Sequence, residues 1–420
     1  MNNINSFKSF IRFLKYAKKW RFKICLASFY SFINKLFDIA PEILLGIAVD
    51  VVINVNTPNE NFLNWVGIEG IQSQVIALAL FTFFIWAFES IFQYLYMISW
   101  RNIAQSIEHD IRLDLYKNVQ SLDVSWFETQ KLGNVSSIIN DDVNQLERFL
   151  NNGINQIVQI IVSSVLIGLV FFYISPLIAS IILLPIPIIF LISMFFQKNL
   201  SPKYLDVRKS VGSLSSSIFN NLLGIITIKS FASEDVESER LGKLSTDYLE
   251  KNKKAIKLSS AFVPVVRMGV LSGFLVTMIL GSLMAINGQI SPGSFAMLLF
   301  LTQRFLWPFT TLGEIVDLFE RSMASTKRIL DTLDFRPQII GGTDSSFSDF
   351  GDIDFNSVSF YYNEQSPVFN NLDFTIKKGQ IAAIVGSTGI GKTSLVKLIL
   401  RLYDPQSGSI SIGSKNIKTL

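Results

Sequence analysis

Residues Gly386–Thr393 read GSTGIGKT and match the pattern G-x-x-x-x-G-K-[ST] at each of its fixed positions. A turn of this composition lets backbone N–H groups close around phosphate oxygens, because glycine adopts backbone conformations that other residues avoid. The N-terminus of a following helix adds positive potential, the Lys392 ammonium reaches the β- and γ-phosphates, and the Thr393 hydroxyl holds Mg²⁺. The sequence therefore predicts a nucleotide-binding loop that also carries Mg²⁺.

The predicted contacts to the nucleotide are the residues of the loop and the position that follows it. They are Gly386, Ser387, Thr388, Gly389, Ile390, Gly391, Lys392, Thr393 and Ser394. Both flanks of the loop support this assignment. Residues 380–386 (QIAAIVG) form a short apolar run that predicts a buried strand, and residues 393–402 (TSLVKLILRL) have helical spacing.

The residues before the loop predict the other elements of a soluble domain. Apolar and polar side chains alternate in three short runs, and the second run is shifted by one residue relative to the first. The apolar members are Ile353 and Phe355, then Val358, Phe360 and Tyr362, then Phe374 and Ile376. Because a period of two predicts strands, we expect an α/β domain of the P-loop NTPase type at residues 351–420. Residues 336–350, rich in Gly, Ser and Asp, predict a linker.

The composition indicates a membrane protein rather than a soluble enzyme. Apolar residues make up 49% of the 420 residues and charged residues 17%, and the mean hydropathy is +0.39. The net charge of +4 is small, and we expect no nucleic-acid partner. The single cysteine, Cys25, excludes an intrachain disulfide. The single histidine, His109, lies in a polar helical stretch, which favours a solvated side chain over a metal ligand.

Six apolar segments follow one another over residues 1–335, which we assign to a membrane domain. A helix needs about 20 residues at about 1.5 Å each to cross about 30 Å of hydrocarbon, and each segment meets or nearly meets this length. The segments are Ile24–Ile53, Ile71–Ile98, Ile154–Ile174, Leu177–Phe196, Ala261–Ile286 and Phe295–Leu312. The predicted fold class is an all-α membrane domain of six transmembrane helices, followed by an incomplete α/β domain.

The placement of Lys and Arg predicts the orientation of the spans. The connections at residues 54–70, 175–176 and 287–292 contain neither residue, whereas the N-terminal arm is basic and residues 198–257 are rich in lysine. Because basic connections stay in the cytosol, we expect a multi-pass protein of the inner (plasma) membrane with both termini cytoplasmic. Helical spacing at residues 101–119 and 204–223 predicts long cytosolic extensions of the helices.

Several charged residues lie inside the apolar segments, where contact with lipid costs about 2.5–3.5 kcal/mol or more at mid-bilayer. One interpretation is a water-filled cavity for a substrate, and its candidate lining residues are Arg267, Arg304 and Glu89. The alternative is pairing inside the protein, most directly for Lys35 and Asp38, which are one helical turn apart. The sequence leaves both interpretations open.

Six spans with long cytosolic extensions, followed by a soluble domain with this loop, resemble the ATP-binding cassette (ABC) exporters, such as lipid A and multidrug exporters. The resemblance covers the whole chain. Residues 358–380 (VSFYYNEQSPVFNNLDFTIKKGQ) are similar to the start of the nucleotide-binding cassette, and residues 402–417 (LYDPQSGSISIGSKNI) to the stretch after the loop helix. Other stretches are similar to the coupling helices of the family, which are short cytosolic helices, and to the end of the sixth-span extension. They are Ser125-Trp126-Phe127 with Gly133 and Asp141-Asp142, residues 224–234, and Arg328-Ile329-Leu330.

The resemblance implies ATP and Mg²⁺ as cofactors and ATP-dependent export or flipping of an amphipathic, lipid-like or drug-like substrate. It implies Tyr362 as the aromatic residue that stacks on adenine, with Tyr361 as the alternative. It also implies a homodimer, or a heterodimer with another ABC half-transporter, in a lipid bilayer.

The sequence departs from the family after the loop. A complete cassette continues with a glutamine loop, an LSGGQ-type signature, a Walker B aspartate followed by a glutamate, and a switch histidine, and these motifs do not occur in the 420 residues. We therefore expect nucleotide binding without hydrolysis by this chain alone, and no catalytic residue is assigned. A separate chain that supplies the rest of the cassette is one hypothesis. The alternative is a non-catalytic membrane remnant that binds nucleotide weakly and transports nothing; a channel or secondary carrier is disfavoured because matching interrupted segments are not seen.

Overall fold

The computed structural model of the chain describes residues 2–53, 63, 67–68, 70–130, 132–342, 351–363 and 366–420. Most of these residues are helical, and a small sheet follows the helices. The α-helices are α1 Asn2–Tyr16, α2 Arg21–Ile53, α3 Ile71–Ser121, α4 Val124–Thr129, α5 Leu132–Ser137, α6 Val143–Arg148, α7 Ile154–Ile174, α8 Pro176–Ile182, α9 Pro185–Leu223, α10 Ile225–Ser230, α11 Glu234–Ile286, α12 Pro292–Leu306, α13 Leu312–Asp334 and α14 Lys392–Ile399. The strands are β1 Ile353–Asn363, β2 Ser366–Ile376, β3 Ser407–Ile412 and β4 Lys415–Asn416.

The packing divides the chain into two compact units. The first unit consists of Leu14–Ser106 and Glu147–Met323. The second unit consists of Asn2–Phe13, Ile107–Leu146 and Ala324–Leu420. The predicted membrane segments belong to the first unit, and the predicted nucleotide-binding residues belong to the second.

Four helical segments of the described chain are long and apolar enough to cross a membrane. They are Ile71–Ser121, Gly133–Ile174, Pro176–Leu223 and Glu234–Ile286. Only 6% of the most apolar window of Ile71–Ser121 is buried inside the protein, so its apolar side chains are free to contact lipid. The other two predicted segments are helical in α2 and α12 but are not among these four, so the count of six spans stays a prediction.

Several helices extend well beyond the apolar segments, as the spacing predicted. The helix that contains the second apolar segment continues to Ser121, and the helix that contains the fourth continues to Leu223. Helix α13 contains residues 320–333, which follow the sixth apolar segment. The sixth helix is interrupted at Pro308, where a 3₁₀ turn spans Trp307–Thr311, because proline removes a backbone hydrogen bond and its ring collides with the preceding turn.

The predicted break between the third and fourth segments lies at Ser175. This residue is extended, with φ −155° and ψ 106°, and its Oγ accepts a hydrogen bond from the Ile178 N–H at 3.3 Å. Serine is a favoured N-cap residue, and Pro176 at the first helical position has a backbone φ suited to the helix. These two residues therefore end α7 and start α8 in the order that the sequence predicted.

The core of the first unit is formed by apolar side chains from α2, α7, α8, α9, α11 and α12. Its fully buried members include Ile167, Ile189, Leu298 and Leu301. At one end of α12, the Asp50 carboxylate of α2 accepts hydrogen bonds from the Gly293 N–H at 2.7 Å and from the Ser291 hydroxyl at 2.6 Å. The carboxylate thus satisfies a backbone donor that the first turn of a helix leaves unpaired, and it fixes α12 against α2.

The sheet of the second unit is antiparallel throughout, in the strand order β2-β1-β3-β4. The predicted one-residue shift in β1 is confirmed as a bulge between Phe355 and Val358. At the bulge, Ser357 has a positive φ of 49° and its N–H donates to the Asp373 carboxylate at 2.6 Å. Phe355 and Phe374 are opposite each other and their rings stack at 4.4 Å, so the predicted apolar faces do form the core.

The prediction of a buried strand at residues 380–386 is wrong. These residues are not in a strand, and Ile381 and Val385 are 102% and 87% exposed. A buried parallel strand needs paired strands beside it and packed layers on its faces, and the described strands all pair elsewhere. The helix after the loop is confirmed but ends at Ile399, before Arg401, whose φ of 50° is not helical.

Candidate functional site

The glycines of the loop have the backbone conformations that the motif predicted. Gly389 and Gly391 have φ angles of 91° and 104°, in the region that residues with side chains rarely adopt. A Cβ atom on Gly391 would lie 2.7 Å from the Val368 side chain and 2.8 Å from the Phe369 ring. Gly391 also precedes the first residue of α14, and its carbonyl accepts from the Leu395 N–H at 3.0 Å. Glycine is therefore required here both for the backbone turn and for space.

Lys392 points back over the loop. Its Nζ donates hydrogen bonds to the carbonyl oxygens of Gly386 and Ser387 at 2.8 Å and 2.7 Å. These contacts place a positive charge at the start of α14, where the helix dipole is also positive. The arrangement suits a bound polyphosphate, because a phosphate oxygen is a stronger acceptor for an ammonium group than a neutral carbonyl is.

Tyr362 lies beside the loop, although 23 residues of the sequence separate it from Gly386. Its hydroxyl donates to the Ser394 Oγ at 3.0 Å, and the residue is 47% exposed. The alternative residue, Tyr361, is held differently: its backbone N–H donates to Gln406 Oε1 and its carbonyl accepts from Gln406 Nε2, both at 3.0 Å. Of the two tyrosines, Tyr362 is thus the one whose side chain contacts a residue of the predicted nucleotide site.

A magnesium ion would find one protein ligand in this site. Thr393 is exposed in the first turn of α14, and its hydroxyl is the type of oxygen ligand that Mg²⁺ accepts together with phosphate oxygens and water. No group of three or more His, Cys, Asp or Glu side chains that could hold a metal occurs within the described part of the chain. The residues present therefore fit Mg²⁺ that arrives with a nucleotide, and do not form a separate metal cage.

A second contact near the loop was missed by sequence reasoning. Glu128 of α4 accepts from Lys397 Nζ and from the Tyr403 hydroxyl, each at 2.5 Å. The hydrogen bonds from Lys397 and then Tyr403 lower the pKa of Glu128, and the Glu128 hydrogen bond raises the pKa of Lys397. Burial, followed by the hydrogen bond to Glu128, raises the pKa of Tyr403. Only the position of Glu128 directly after Trp126-Phe127, in the stretch that resembles a coupling helix, could have drawn attention to it.

Another pair joins two stretches that the sequence had singled out separately. Arg328 Nε donates to Asp142 Oδ2 at 2.7 Å, and Arg328 Nη2 donates to the other carboxylate oxygen. The Ser325 hydroxyl donates to Asp142 Oδ1 at 2.9 Å. Asp142 is only 3% exposed, so this carboxylate is buried with its charge compensated by a bidentate partner.

The charged residues of the apolar segments form a connected group in the first unit. Lys35 and Asp38 are 2.7 Å apart, which confirms the predicted pair. Arg304 contacts both Asp38 and Glu42, so it has partners that its own stretch of sequence did not offer. Arg304 also lines a pocket of about 310 Å³, together with Ile39, Ile167, Gln303, Trp307 and Pro308 as well as the first pair.

The other two candidate cavity residues lie elsewhere. Arg267 is exposed on α11 and does not line the pocket at Arg304. Glu89 is half-buried on α3, and its backbone carbonyl accepts from Asn34 Nδ2 at 3.0 Å, one turn from Asp38. The structure therefore supports one polar pocket with Arg304 on its wall and does not bring the three candidates together in it.

The structure combines long apolar helices with a glycine-rich loop at the start of a helix, the combination that the sequence resemblance to ABC exporters implied. Comparison with protein families agrees with this class. The family model described as "ABC transporter transmembrane region" matches residues 24–309, and the model described as "ABC transporter" matches residues 369–419. The chain belongs to the ABC transporter family.

Curated relatives include proteins named as ABC transporters and as an ATP-dependent flippase. The uncharacterized ABC transporter ATP-binding protein YknU of Bacillus subtilis is 27% identical over 73% of this chain and 53% of its own length. A fatty acid ABC transporter ATP-binding/permease protein of Mycobacterium tuberculosis is 28% identical over 74% of this chain and 49% of its own. An ATP-dependent lipid A-core flippase of Vibrio vulnificus is 24% identical over 77% of this chain and 55% of its own length. The chain thus spans about half the length of the curated relatives it matches.

Proposed function

We propose that this chain is half of an exporter-type ABC transporter that uses ATP to export or flip an amphipathic, lipid-like or drug-like substrate. The observation that carries the proposal is that Lys392 contacts the loop while Tyr362 contacts Ser394, the residue directly after the loop. Lys392 Nζ lies on the loop carbonyls, and the Tyr362 hydroxyl is bonded to Ser394. In this proposal residues 386–394 bind the phosphates, Thr393 holds Mg²⁺, and Tyr362 stacks on adenine.

The proposed arrangement in the membrane has six spans and both termini in the cytoplasm. The membrane domain comprises residues 1–335, the linker residues 336–350, and the nucleotide-binding part, with an α/β P-loop fold, residues 351–420. Support comes from the four long apolar helices and from α2 and α12, whose core residues pack with three of those four. Two such halves, identical or different, would form the working transporter in the bilayer.

The proposed substrate class rests on the pocket at Arg304. Its wall combines an arginine whose side chain is 40% exposed with apolar residues such as Ile39, Ile167 and Trp307. Apolar walls beside a group of charged side chains, here Arg304 with Lys35 and Asp38, suit a molecule that has a hydrophobic part and a polar head. Two of the relatives, named as a fatty acid ABC transporter and a lipid A-core flippase, also have amphipathic molecules in their names.

The nucleotide proposal is tested by binding of a fluorescent ATP analogue to the purified chain in lipid nanodiscs with Mg²⁺. Lys392→Ala is expected to weaken binding about tenfold or more, because a charge-assisted hydrogen bond to phosphate is lost. The matched control is Lys377→Ala, which removes an exposed lysine of the same unit that is paired with Asp352. Equal affinities of the wild type and Lys392→Ala would contradict the proposal.

A further inference from the structure

Four side chains from three stretches of the second unit form one connected group, named here the Glu128 cluster: Glu128, Tyr362, Lys397 and Tyr403. Glu128 contributes one carboxylate oxygen to Lys397 and the other to Tyr403, each at 2.5 Å. The rings of Tyr362 and Tyr403 meet edge to face at 5.2 Å. The cluster therefore links the short helix α4 to the tyrosine that contacts Ser394, the residue directly after the phosphate loop.

Lys397 is the centre of this cluster. Its Nζ lies over the Tyr362 ring at 5.4 Å from the centroid and over the Tyr403 ring at 5.5 Å. An ammonium group within about 6 Å of an aromatic centroid is attracted by the negative face of the ring. The Lys397 side chain is only 23% exposed, so the charge is partly removed from water and depends on Glu128 and the two rings for compensation.

The position of Tyr362 is fixed from several directions. Its hydroxyl is bonded to Ser394, its ring packs edge to face on Phe360 at 4.9 Å, and Lys397 covers part of it. The residue nevertheless remains 47% exposed. The exposed part of the ring is thus available to a flat ligand, while the covered part is supported by a charge that α4 holds in place.

We infer that Lys397 is a positioning residue for the nucleotide base: it supports one side of Tyr362 so that the other side stacks on the base, and Glu128 determines whether Lys397 stays there. This inference rests on the proposed nucleotide site and deepens it. It assigns a base-specific role to Glu128 and Lys397, neither of which is in the phosphate loop. It also makes the affinity for the base depend on the contact between α4 and α14.

The dependence must be reciprocal. If the Glu128–Lys397 contact strengthens base binding, a bound base strengthens that contact by the same factor, because the two equilibria share one coupling free energy. We expect the phosphate part of the ligand to be affected little, because the hydrogen bond that the described structure shows between the Glu128 cluster and residues 386–394 runs from Tyr362 to Ser394, and the cation of Lys397 is directed at the two tyrosine rings and Glu128. The inference therefore separates ligands that have a base from ligands that have only phosphates.

The experiment compares Mg²⁺-ATP with Mg²⁺-tripolyphosphate, which lacks the base, on the full chain in nanodiscs. Lys397→Met keeps the length of the side chain but removes its charge. This substitution is expected to weaken the binding of ATP about threefold, which corresponds to the loss of an exposed cation–π contact, and to leave the affinity for tripolyphosphate unchanged. Glu128→Gln is expected to have the same effect as Lys397→Met, a lower affinity for ATP and an unchanged affinity for tripolyphosphate. Lys397→Arg, which keeps the cation, should retain the affinity for ATP.

Glu234→Gln is the matched control, because Glu234 is also an exposed carboxylate that accepts from a lysine, Lys229, at 2.8 Å, and it lies in the first unit. This variant is expected to change the affinity for neither ATP nor tripolyphosphate. Unchanged ATP affinity in Lys397→Met, or an equal loss for ATP and tripolyphosphate, would overturn the inference while leaving the phosphate loop intact. Failure of the proposed nucleotide site itself would look different, since the wild type would then bind neither ligand in a Lys392-dependent manner.

Discussion

Arg328 holds the carboxylate of Asp142 with two donors, from Nε to Oδ2 at 2.7 Å and from Nη2 to Oδ1. The Asp142 side chain is 5% exposed and that of Arg328 is 60% exposed. The carboxylate is therefore buried, and the arginine reaches it from the surface. A buried charge is tolerated when its remaining lone pairs are satisfied, and Ser325 satisfies a further one. This pair connects the π-helical turn at Ile138–Asp142 to α13 in the second unit.

Removing the basic partner is expected to destabilise the second unit. In Arg328→Gln the Asp142 charge stays buried without its bidentate partner, which we expect to cost about 2 kcal/mol, less than for a fully buried pair because Arg328 is exposed. Thermal unfolding of the purified chain measures the change as a lower midpoint. Arg321→Gln is the control, since Arg321 is paired with Asp317 one turn away on the same helix and its loss should change stability by less than about 0.5 kcal/mol. Equal midpoints for the two variants would contradict the prediction.

Substitution of Gly391 is expected to abolish the shape of the phosphate loop. In Gly391→Ala the new methyl group would collide with Val368 and Phe369, and alanine does not readily adopt a φ of 104°. We expect nucleotide affinity to fall by about tenfold or more. Gly242→Ala in α11 is the control, because its methyl group would meet open space in a helix and should leave binding unchanged. Wild-type affinity in Gly391→Ala would show that the loop binds phosphate in another conformation.

Gly391 and residues 380–386 differ in how well the sequence predicted their structure. The loop, α14 and the bulge in β1 were predictable because each depends on residues close together in the chain. Residues 380–386 have the composition of a buried strand, but burial depends on neighbouring strands, which local composition does not report. The same holds for Arg304, whose partner Asp38 is 266 residues away, and for Glu128, which is 269 residues from Lys397.

The Glu128–Lys397 contact is expected to depend on pH in a defined direction. The hydrogen bonds from Lys397 and then Tyr403 lower the pKa of Glu128 in the folded protein. Its contribution to stability is therefore present above the unfolded value of about 4.3 and is lost as the pH falls through the lower folded value. The raised pKa of Lys397 acts in the opposite sense, so its contribution is present below about 10.4 and is lost only as the pH rises through the higher folded value.

This pH dependence is measured as the difference in thermal midpoint between the wild type and Glu128→Gln from about pH 3 to about pH 7. We expect the wild type to be slightly more stable near neutral pH and the advantage to disappear at the acid end. The difference should be small, because both side chains are partly exposed and water screens their attraction. A difference that stays constant over the whole range would mean that charge plays no part in the contact.

The orientation of the membrane unit is expected to place the connection between α11 and α12 outside the cell. This connection contains neither Lys nor Arg, and Gln289 within it is exposed, whereas the α9–α11 region before it carries many lysines. On a Cys25→Ser background, which removes the single native thiol, Gln289→Cys should react with a membrane-impermeant maleimide in intact cells. Glu239→Cys, at an exposed position near the start of α11, should react only after permeabilisation, because the basic side of the helices remains in the cytosol. Labelling of Glu239→Cys but not of Gln289→Cys in intact cells would reverse the proposed orientation.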